Sequence, residues 1–322
     1  MKQSNPFLSI IIPAFNNKED ISKTINSIVE NINNEDYEIL VVDNNSTDGT
    51  KEEVLGLNLK NVCVLSCTTQ GVSYARNTGI EHAKGKYITF SDADDVVDQN
   101  FANAVEVVAK NQDVDIFQFP VWVEEKQKEL VGKLDDKFCN TVIESSSDLF
   151  LEFLDTKISN SSCNKFIRRE FLNENKILYK QFTNAEDMEF VTRCLAKCKT
   201  WFNGERAYYH YLIRPNSAMT LVKINKVEDA LNACNSAFLF AEENATEVVA
   251  KKLKNYVSRT AFFTLSRYAF LAKEDKKKCE KLVKQNMHLF QNAVTTKFKI
   301  IKLCFKILGV SLTLKLVGLI GK

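Results

Sequence analysis

The stretch YITFSDADD, Tyr87–Asp95, begins as an apolar, β-branched run and breaks into a turn carrying Asp92, Asp94 and Asp95. It is the fourth of five such runs, after Ser9–Phe15, Glu38–Asn44 and Asn61–Cys67 and before Val114–Pro120. Short apolar runs bounded by turn-forming residues read as strands. Between them the apolar spacing becomes helical, as at Ile21, Ile25, Ile28, Val29 and Ile32. The first 120 residues therefore predict β-α-β-α-β-α-β-α-β, an α/β fold with a mainly parallel sheet covered by helices on both faces. Such sheets take their ligands in the crevice beyond the carboxyl ends of the strands. The residues expected there are Asn16 and Asn17, then Asp43, Asn44 and Asn45, then the three aspartates.

The rest of the chain sets limits on that reading. With 322 residues, 45% hydrophobic and including 22 Phe, it can bury a sizeable core, which excludes disordered, collagen-like and mucin-like chains. Only 10 Gly and 4 Pro are present, leaving no low-complexity linker, and no internal repeat is visible. Val121–Thr220 is mixed, with a short helix near Asp148–Leu154, a helix over Glu186–Cys198 and a strand over Ala207–Ile213. Beyond Asn225 only three or four helices are expected, with apolar stripes such as Leu231, Cys234, Phe238 and Tyr256, Phe263, Leu265. The division expected is a domain of residues 1–220 and a helical region of 221–322. Met1–Phe7 has no apolar core of signal-peptide length, so export is not expected. Nine scattered cysteines fit a reducing cytosol, with Cys63/Cys67 and Cys194/Cys198 packing in the core rather than holding zinc.

No G-x-G-x-x-G follows the first strand and no G-x-x-x-x-G-K-[ST] occurs, which removes dinucleotide and P-loop readings. Residues two apart on extended backbone share a face, so Asp92 and Asp94 can converge on a hard divalent ion completed by water and phosphate oxygens. An acidic turn capping the next helix through Asp95 or Asp98 fits the same residues. No glycine stands where an EF-hand loop needs one. Asp187 falls at the inward edge of a helix start, behind Asn184 as cap and ahead of the apolar face Phe190, Val191, Cys194, Leu195 and Cys198. That suits a general base, and equally an acid favoured by the helix dipole.

SIIIPAFN (Ser9–Asn16), VVDNNSTDGT (Val41–Thr50), GVSYARNTGI (Gly71–Ile80) and YITFSDADD, in this order and spacing, resemble the inverting family 2 glycosyltransferases of GT-A fold. SCNKFIRREFL (Ser162–Leu172), NAEDMEF (Asn184–Phe190) and YHYLIRPNS (Tyr209–Ser217) continue the likeness more loosely, to about residue 220. The resemblance implies that Pro13, Ala14 and Phe15 line a nucleoside pocket and that Asp43 bonds the uracil or ribose. It implies Arg76 beside the nucleotide, Asp92 at the ribose and metal, and Asp94 as direct ligand of Mn²⁺ or Mg²⁺. The match of Glu186-Asp187 implies Asp187 as base, while Arg214 and Ser217 match a loop that closes over the diphosphate. Asn164 and Lys165 match a motif beside the acceptor, and His210, among tyrosines, reads as packed. Three positions depart from the pattern: Asp43-Asn44-Asn45-Ser46 replaces Asp-Asp-Gly-Ser, Thr69 replaces Asn, and Leu212 replaces a second Arg.

The activity so implied is transfer of a hexose or N-acetylhexosamine from a UDP-sugar to a hydroxyl of a glycan or lipid-linked acceptor, in cell-surface polysaccharide synthesis. A non-catalytic nucleotide-sugar-binding scaffold and a metal-dependent nucleotidyltransferase are the alternatives. Residues 1–280 carry a net charge of −6 and the remainder +8, and the acidic body argues against a nucleic-acid partner. In the tail 295–322, Lys299, Lys302 and Lys306 follow one helical face. Its longest uninterrupted apolar stretch, Ile307–Leu314, is far short of the roughly 20 residues a bilayer span needs. The tail reads as a helix lying on an anionic membrane surface, packing on the protein being the alternative. The expected location is cytoplasmic, peripheral on the inner face of the plasma membrane.

Overall fold

The computed structural model describes residues 5–33, 36–124, 128–156, 158–213, 223–292 and 295–320. They form two compact units, Met1–Tyr179 with Cys198–Arg214, and Lys180–Lys197 with Pro215–Lys322.

In the first unit, four strands form the parallel half of a sheet: β1 (Leu8–Ala14), β2 (Tyr37–Asp43), β3 (Val62–Ser66) and β4 (Tyr87–Phe90). β1 is buried at six of its seven positions and β4 at all four, as befits strands covered on both faces. The helices α1 (Ile21–Glu30), α2 (Thr50–Gly56), α3 (Val72–His82) and α4 (Asn100–Lys110) alternate with them. Ala14 pairs with Asp43 and Asp43 with Ser66, so three strand ends lie level. β4 stops at Phe90, opposite Ile11, so its acidic turn runs alongside the end of β1.

The rest of the sheet adds two antiparallel strands to this parallel set. The elements that follow are β5 (Val96–Val97), β6 (Ile116–Gln118), β7 (Val121–Glu124), β8 (Lys128–Val131), β9 (Val142–Glu144), β10 (Lys165–Arg168), β11 (Thr200–Asn203) and β12 (Tyr209–Leu212), with α5 (Asp148–Phe153) and α6 (Arg169–Glu174) among them. The large sheet has eight strands in the order β3-β2-β1-β4-β10-β6-β11-β9. It is mainly parallel, as expected, six strands running one way; β10 inserts between β4 and β6 antiparallel to both, and β9 runs antiparallel to β11 at the edge. β5, β12, β7 and β8 make a second, four-stranded sheet. β5 follows the acidic turn at once, so the turn is tied to the large sheet at one end and to the small sheet at the other.

The second unit is helical among the described residues, built from α7 (Glu186–Lys197), α8 (Ile224–Asn244), α9 (Glu247–Ser266), α10 (Lys273–Gln285) and α11 (Thr296–Ile320). Leu231, Cys234, Phe238, Tyr256 and Leu265 are buried as their spacing predicts. Phe263 is not: with Ala261, Phe262, Thr264 and Leu265 all buried, its ring faces outward and the Arg267 guanidinium covers it at 5.6 Å. All nine cysteines are reduced, and six of them are buried.

α11 is broken at Gly309, whose φ of +72° lies in the left-handed region. Its inner side buries Ile301, Phe305, Val310, Leu314 and Val317, and Phe298 stacks on Phe262 with centroids 4.4 Å apart. Its outer side leaves Ile300, Leu303, Ile307, Leu312 and Leu316 in solvent, Ile307 at 70% exposure. The tail is thus packed and apolar-surfaced at once. No helix of the described residues is long and apolar enough to cross a membrane.

α3 lies on β1 through a glycine: a Cβ at Gly79 would stand 2.3 Å from Ile11 Cγ2. Ile11 is fully buried and has no room to yield. Alanine gains about 1 kcal/mol of helix propensity over glycine, but overpacking a filled core costs about 1–3 kcal/mol. Gly79→Ala is expected to destabilise the protein, and a urea midpoint equal to or above the parent's would refute this.

Candidate functional site

The loops beyond β1 and β2 form one hydrogen-bonded piece. Asn16, at φ +55°, donates its N–H to Ser46 Oγ (3.0 Å) and accepts from Thr47 N–H through Oδ1 (2.8 Å). Asn17 N–H donates to Thr50 Oγ1 (2.8 Å) and Lys18 N–H to Asp48 Oδ2 (3.0 Å). The Thr50 hydroxyl donates to Asp48 (2.5 Å) and holds that carboxyl below its usual range. Asp43 is mostly buried at the end of β2, where Ser46 N–H points at its Oδ1 from 3.4 Å. Pro13 and Ala14 end β1 beside it, and the Phe15 ring stands in solvent.

Asn44, one of the departures noted above, ties in the third strand end. Its Nδ2 donates to the carbonyls of Cys67 (3.0 Å) and Thr69 (2.7 Å), and its Oδ1 accepts from Gly71 N–H (2.6 Å). The side chain is buried. An aspartate has no N–H to offer those two carbonyls, so the loop leading into α3 is built for the amide.

Arg76, only 4% exposed on α3, donates through Nη2 to Asp92 Oδ1 at 3.2 Å. Its guanidinium also lies 5.1 Å from the ring centre of Tyr179. Tyr179 is fixed by two backbone bonds with the Asn77 amide, of 2.7 and 2.9 Å. Arg76 is therefore preorganised with its charge toward the acidic turn.

Along that turn burial alternates: Ser91, Ala93 and Asp95 are buried, and Asp92 and Asp94 are half-exposed. Asp92 and Asp94 thus lie on the open side of the segment, in a turn rather than on the extended backbone that their spacing assumed. Among the described residues no cluster of three His, Cys, Asp or Glu side chains is placed to enclose a metal. A pair of hard oxygen donors beside solvent nevertheless fits Mg²⁺ or Mn²⁺, which take one or two carboxylates and complete their shell with water and phosphate.

Asp95 points the other way and is 1% exposed. It accepts from the Tyr209 hydroxyl (2.6 Å) and from Leu212 N–H (2.8 Å), both on β12. Burial, with the neighbouring Asp92 adding to it, pushes its carboxyl up to about 8. From α1, the Thr24 hydroxyl shares its one proton between the carbonyls of Asp95 (2.7 Å) and Ala93 (3.0 Å). His210 is packed as expected, bonded to Glu124 (2.5 Å) and Asp98 (3.0 Å). Asn44 and Asp95 were expected among the polar strand ends, whereas Thr24 and Tyr209 were not singled out from the sequence as parts of a site.

Asn164 donates to the Phe119 carbonyl (2.5 Å), and the buried Lys165 ammonium donates to the carbonyls of Ser159 (2.9 Å) and Ser161 (2.6 Å) and to Asn164 Oδ1 (3.1 Å). They fix the loop before β10. In the second unit, Asp187 is half-buried in the first turn of α7, and its charge adds to the burial that raises the Tyr256 phenol. Two residues on, Glu189 is fully buried, with Arg193 (2.8 Å), Ser236 (2.7 Å) and Lys180 (3.2 Å) around it. Asn184, expected as a cap, donates its side-chain amide to the Lys226 carbonyl (3.1 Å). Arg214 and Ser217 lie outside the described residues.

Among protein families, the glycosyl transferase family 2 model matches residues 9–175. The chain is similar to the minor teichoic acid biosynthesis protein GgaB of Bacillus subtilis, 26% identical over 270 residues that make up 81% of this chain and 28% of that protein. It is also similar to the poly(ribitol-phosphate) β-N-acetylglucosaminyltransferase TarP of Staphylococcus aureus, 24% identical over 225 residues, 68% of this chain and 66% of that one. The chain therefore spans less than a third of the first relative and just under two thirds of the second. S. aureus TarS 1–349, solved in complex with UDP-GlcNAc, shares the fold at a TM-score of 0.72 and 17% identity, over 97% of this chain and 90% of that one.

Asn44→Asp, which restores the residue typical of the family pattern, is expected to lower stability by about 2–3 kcal/mol through two deprived carbonyls facing a carboxylate. Thermal unfolding checks this, and an unchanged midpoint would contradict it.

Proposed function

The chain belongs to glycosyl transferase family 2, and from that premise we propose that it moves a hexosyl or N-acetylhexosaminyl group from a UDP-sugar to a hydroxyl of a glycan or lipid-linked acceptor, in cell-surface polysaccharide synthesis. The observation that carries this is that Asp43 ends β2 while Asp92, paired with Arg76, and Asp94 lie in the turn beyond β4, β2 and β4 being the two neighbours of β1. The names of GgaB and TarP, and the UDP-GlcNAc bound by TarS, support the same class of chemistry.

Asp43 would accept the uracil N3–H or a ribose hydroxyl, with Pro13, Ala14 and Phe15 forming the wall of the nucleoside pocket. Asp92, with one oxygen on Arg76, would turn the other toward the ribose and cation, and Asp94 would be the direct ligand. A bound Mn²⁺ or Mg²⁺ supplies positive charge to the departing diphosphate. Arg76 would stand behind that charge, and Arg214 and Ser217 would act as donor-loop residues. Asp187 would take the proton of the acceptor hydroxyl as its oxygen forms a bond to the anomeric carbon. The bond from that carbon to the diphosphate oxygen breaks with its electron pair leaving on UDP, so one displacement inverts the centre.

The tail supports a location at the inner membrane face. Lys299, Lys306 and Lys315 are exposed beside the outward stripe of Ile300, Leu303, Ile307, Leu312 and Leu316. Apolar side chains edged by lysines fit the headgroup layer of an anionic bilayer, each lysine adding about 1 kcal/mol.

Incubated with Mn²⁺ and a panel of UDP-sugars, the protein is expected to release UDP, slowly by hydrolysis where the acceptor is missing. Pyrophosphate formed from UTP and a sugar phosphate would indicate a nucleotidyltransferase, and binding without turnover a scaffold. With acceptor, Asp187→Ala should cost on the order of 10²- to 10⁴-fold in rate, and a loss under about fivefold in a folded variant rules it out as base. Co-sedimentation with phosphatidylglycerol vesicles should fall when Leu303 and Ile307 are both changed to Ser. Unchanged sedimentation would reject the membrane reading.

A further inference from the structure

The hydroxyl of Tyr209 occupies a place in the fold that the chemistry above does not use. Tyr209 is buried on β12, the strand that joins β5 and β7 in the small sheet. Its oxygen lies 3.0 Å from the backbone N–H of Asp92 and 2.6 Å from Asp95 Oδ2. The N–H can only donate, so the hydroxyl oxygen accepts there and its single proton goes to Asp95. One phenol thus bonds the chain at both ends of the four-residue turn that carries Asp92 and Asp94.

We infer that Tyr209 is a positioning residue for the donor site, holding the Asp92–Asp95 turn in the conformation that brings the Asp92 and Asp94 carboxylates to one open side. This rests on the reading of Asp92 and Asp94 as the cation and diphosphate end of that site. Three observations carry it. The turn has no helix or ladder of its own: Ser91–Asp95 lies between the last residue of β4 and the first of β5. Its internal backbone bond, from Asp95 N–H to the Asp92 carbonyl, is long at 3.3 Å. The shorter bonds come from outside, from Thr24 on α1 to the carbonyls of Ala93 and Asp95 and from β12 to the Asp95 carboxylate. Of these outside groups, Tyr209 alone bonds both the Asp95 side chain and the backbone of a residue on the open side. Without its hydroxyl, the Asp92 N–H loses this acceptor and Asp95 keeps only the Leu212 N–H among its two bonds to β12.

A buried hydroxyl could matter for stability alone, and the next residue of the chain gives the control. Tyr208 is as deeply buried, and its hydroxyl donates to the Cys163 carbonyl (3.3 Å), away from the turn. Tyr208→Phe and Tyr209→Phe each remove one buried hydroxyl and keep the ring. Two measurements on the full chain separate them: calorimetric titration with UDP in the presence of Mn²⁺, and native-state hydrogen exchange of Asp92–Asp95 without ligand. Tyr209→Phe is expected to weaken UDP binding about fivefold or more and to speed exchange in the turn about tenfold, while Tyr208→Phe leaves both within about twofold of the parent. Equal effects of the two substitutions, or turn exchange unaltered by Tyr209→Phe, would overturn the inference. So would faster exchange with undiminished UDP affinity. A parent protein that binds neither UDP nor Mn²⁺ overturns the donor-site reading itself, and is told apart because turn exchange still responds to Tyr209→Phe.

Discussion

Pairing of Ala14 with Asp43, and of Asp43 with Ser66, brings three strands to an end side by side. Beyond that line the chain has no ladder partners, yet its peptide groups still need hydrogen bonds. Short polar side chains supply them: Asn16, Ser46, Asp48 and Thr50 between the first two loops, and Asn44 between the second and third. The surface so formed is polar and preshaped without being regular secondary structure. Asp43 sits on its floor, and the shorter β4 delivers Asp92 and Asp94 to its side. The site depends on this levelling of strand ends more than on any one carboxylate.

Much of this was legible in the sequence, because strands that are buried on both faces announce themselves as apolar runs and their polar ends stand out against them. The exposure of both Asp92 and Asp94 has another source than the extended backbone their spacing suggested, since the two lie in a turn closed from Asp95 to Asp92. What could not be read depends on partners far away in the chain. β10 is four residues long and begins and ends with basic side chains, so nothing local marks it as a strand at the middle of a sheet. The Asn44 side chain is bonded to residues 23 to 27 positions away, and Tyr209 to residues more than 110 positions away. Phe263 misled for the opposite reason: helical spacing said it should be inside, and a cation over its ring made exposure tolerable.

In the second unit, Asp187 shares its helix with a fully buried carboxylate. Glu189 meets two cations and a hydroxyl, so a charge that would otherwise be costly to bury is compensated from three directions. That cluster joins α7 to α8 and fixes the helix whose first turn carries Asp187. The two neighbouring acids thus have different work, one half in solvent and one sealed in the packing.

Gly309 places a further condition on the tail. Open space surrounds it, and a methyl group there would touch nothing within 4 Å. Crowding therefore does not require the glycine; handedness does, since φ +72° with ψ 176° belongs to a region that chiral residues rarely enter. Any other amino acid would draw the backbone back into an unbroken helix and change the angular phase of everything after it. Val310, Leu314 and Val317 would then rotate away from the contacts that now bury them. A position where a side chain would touch nothing thus sets which way the last eleven residues of that helix face.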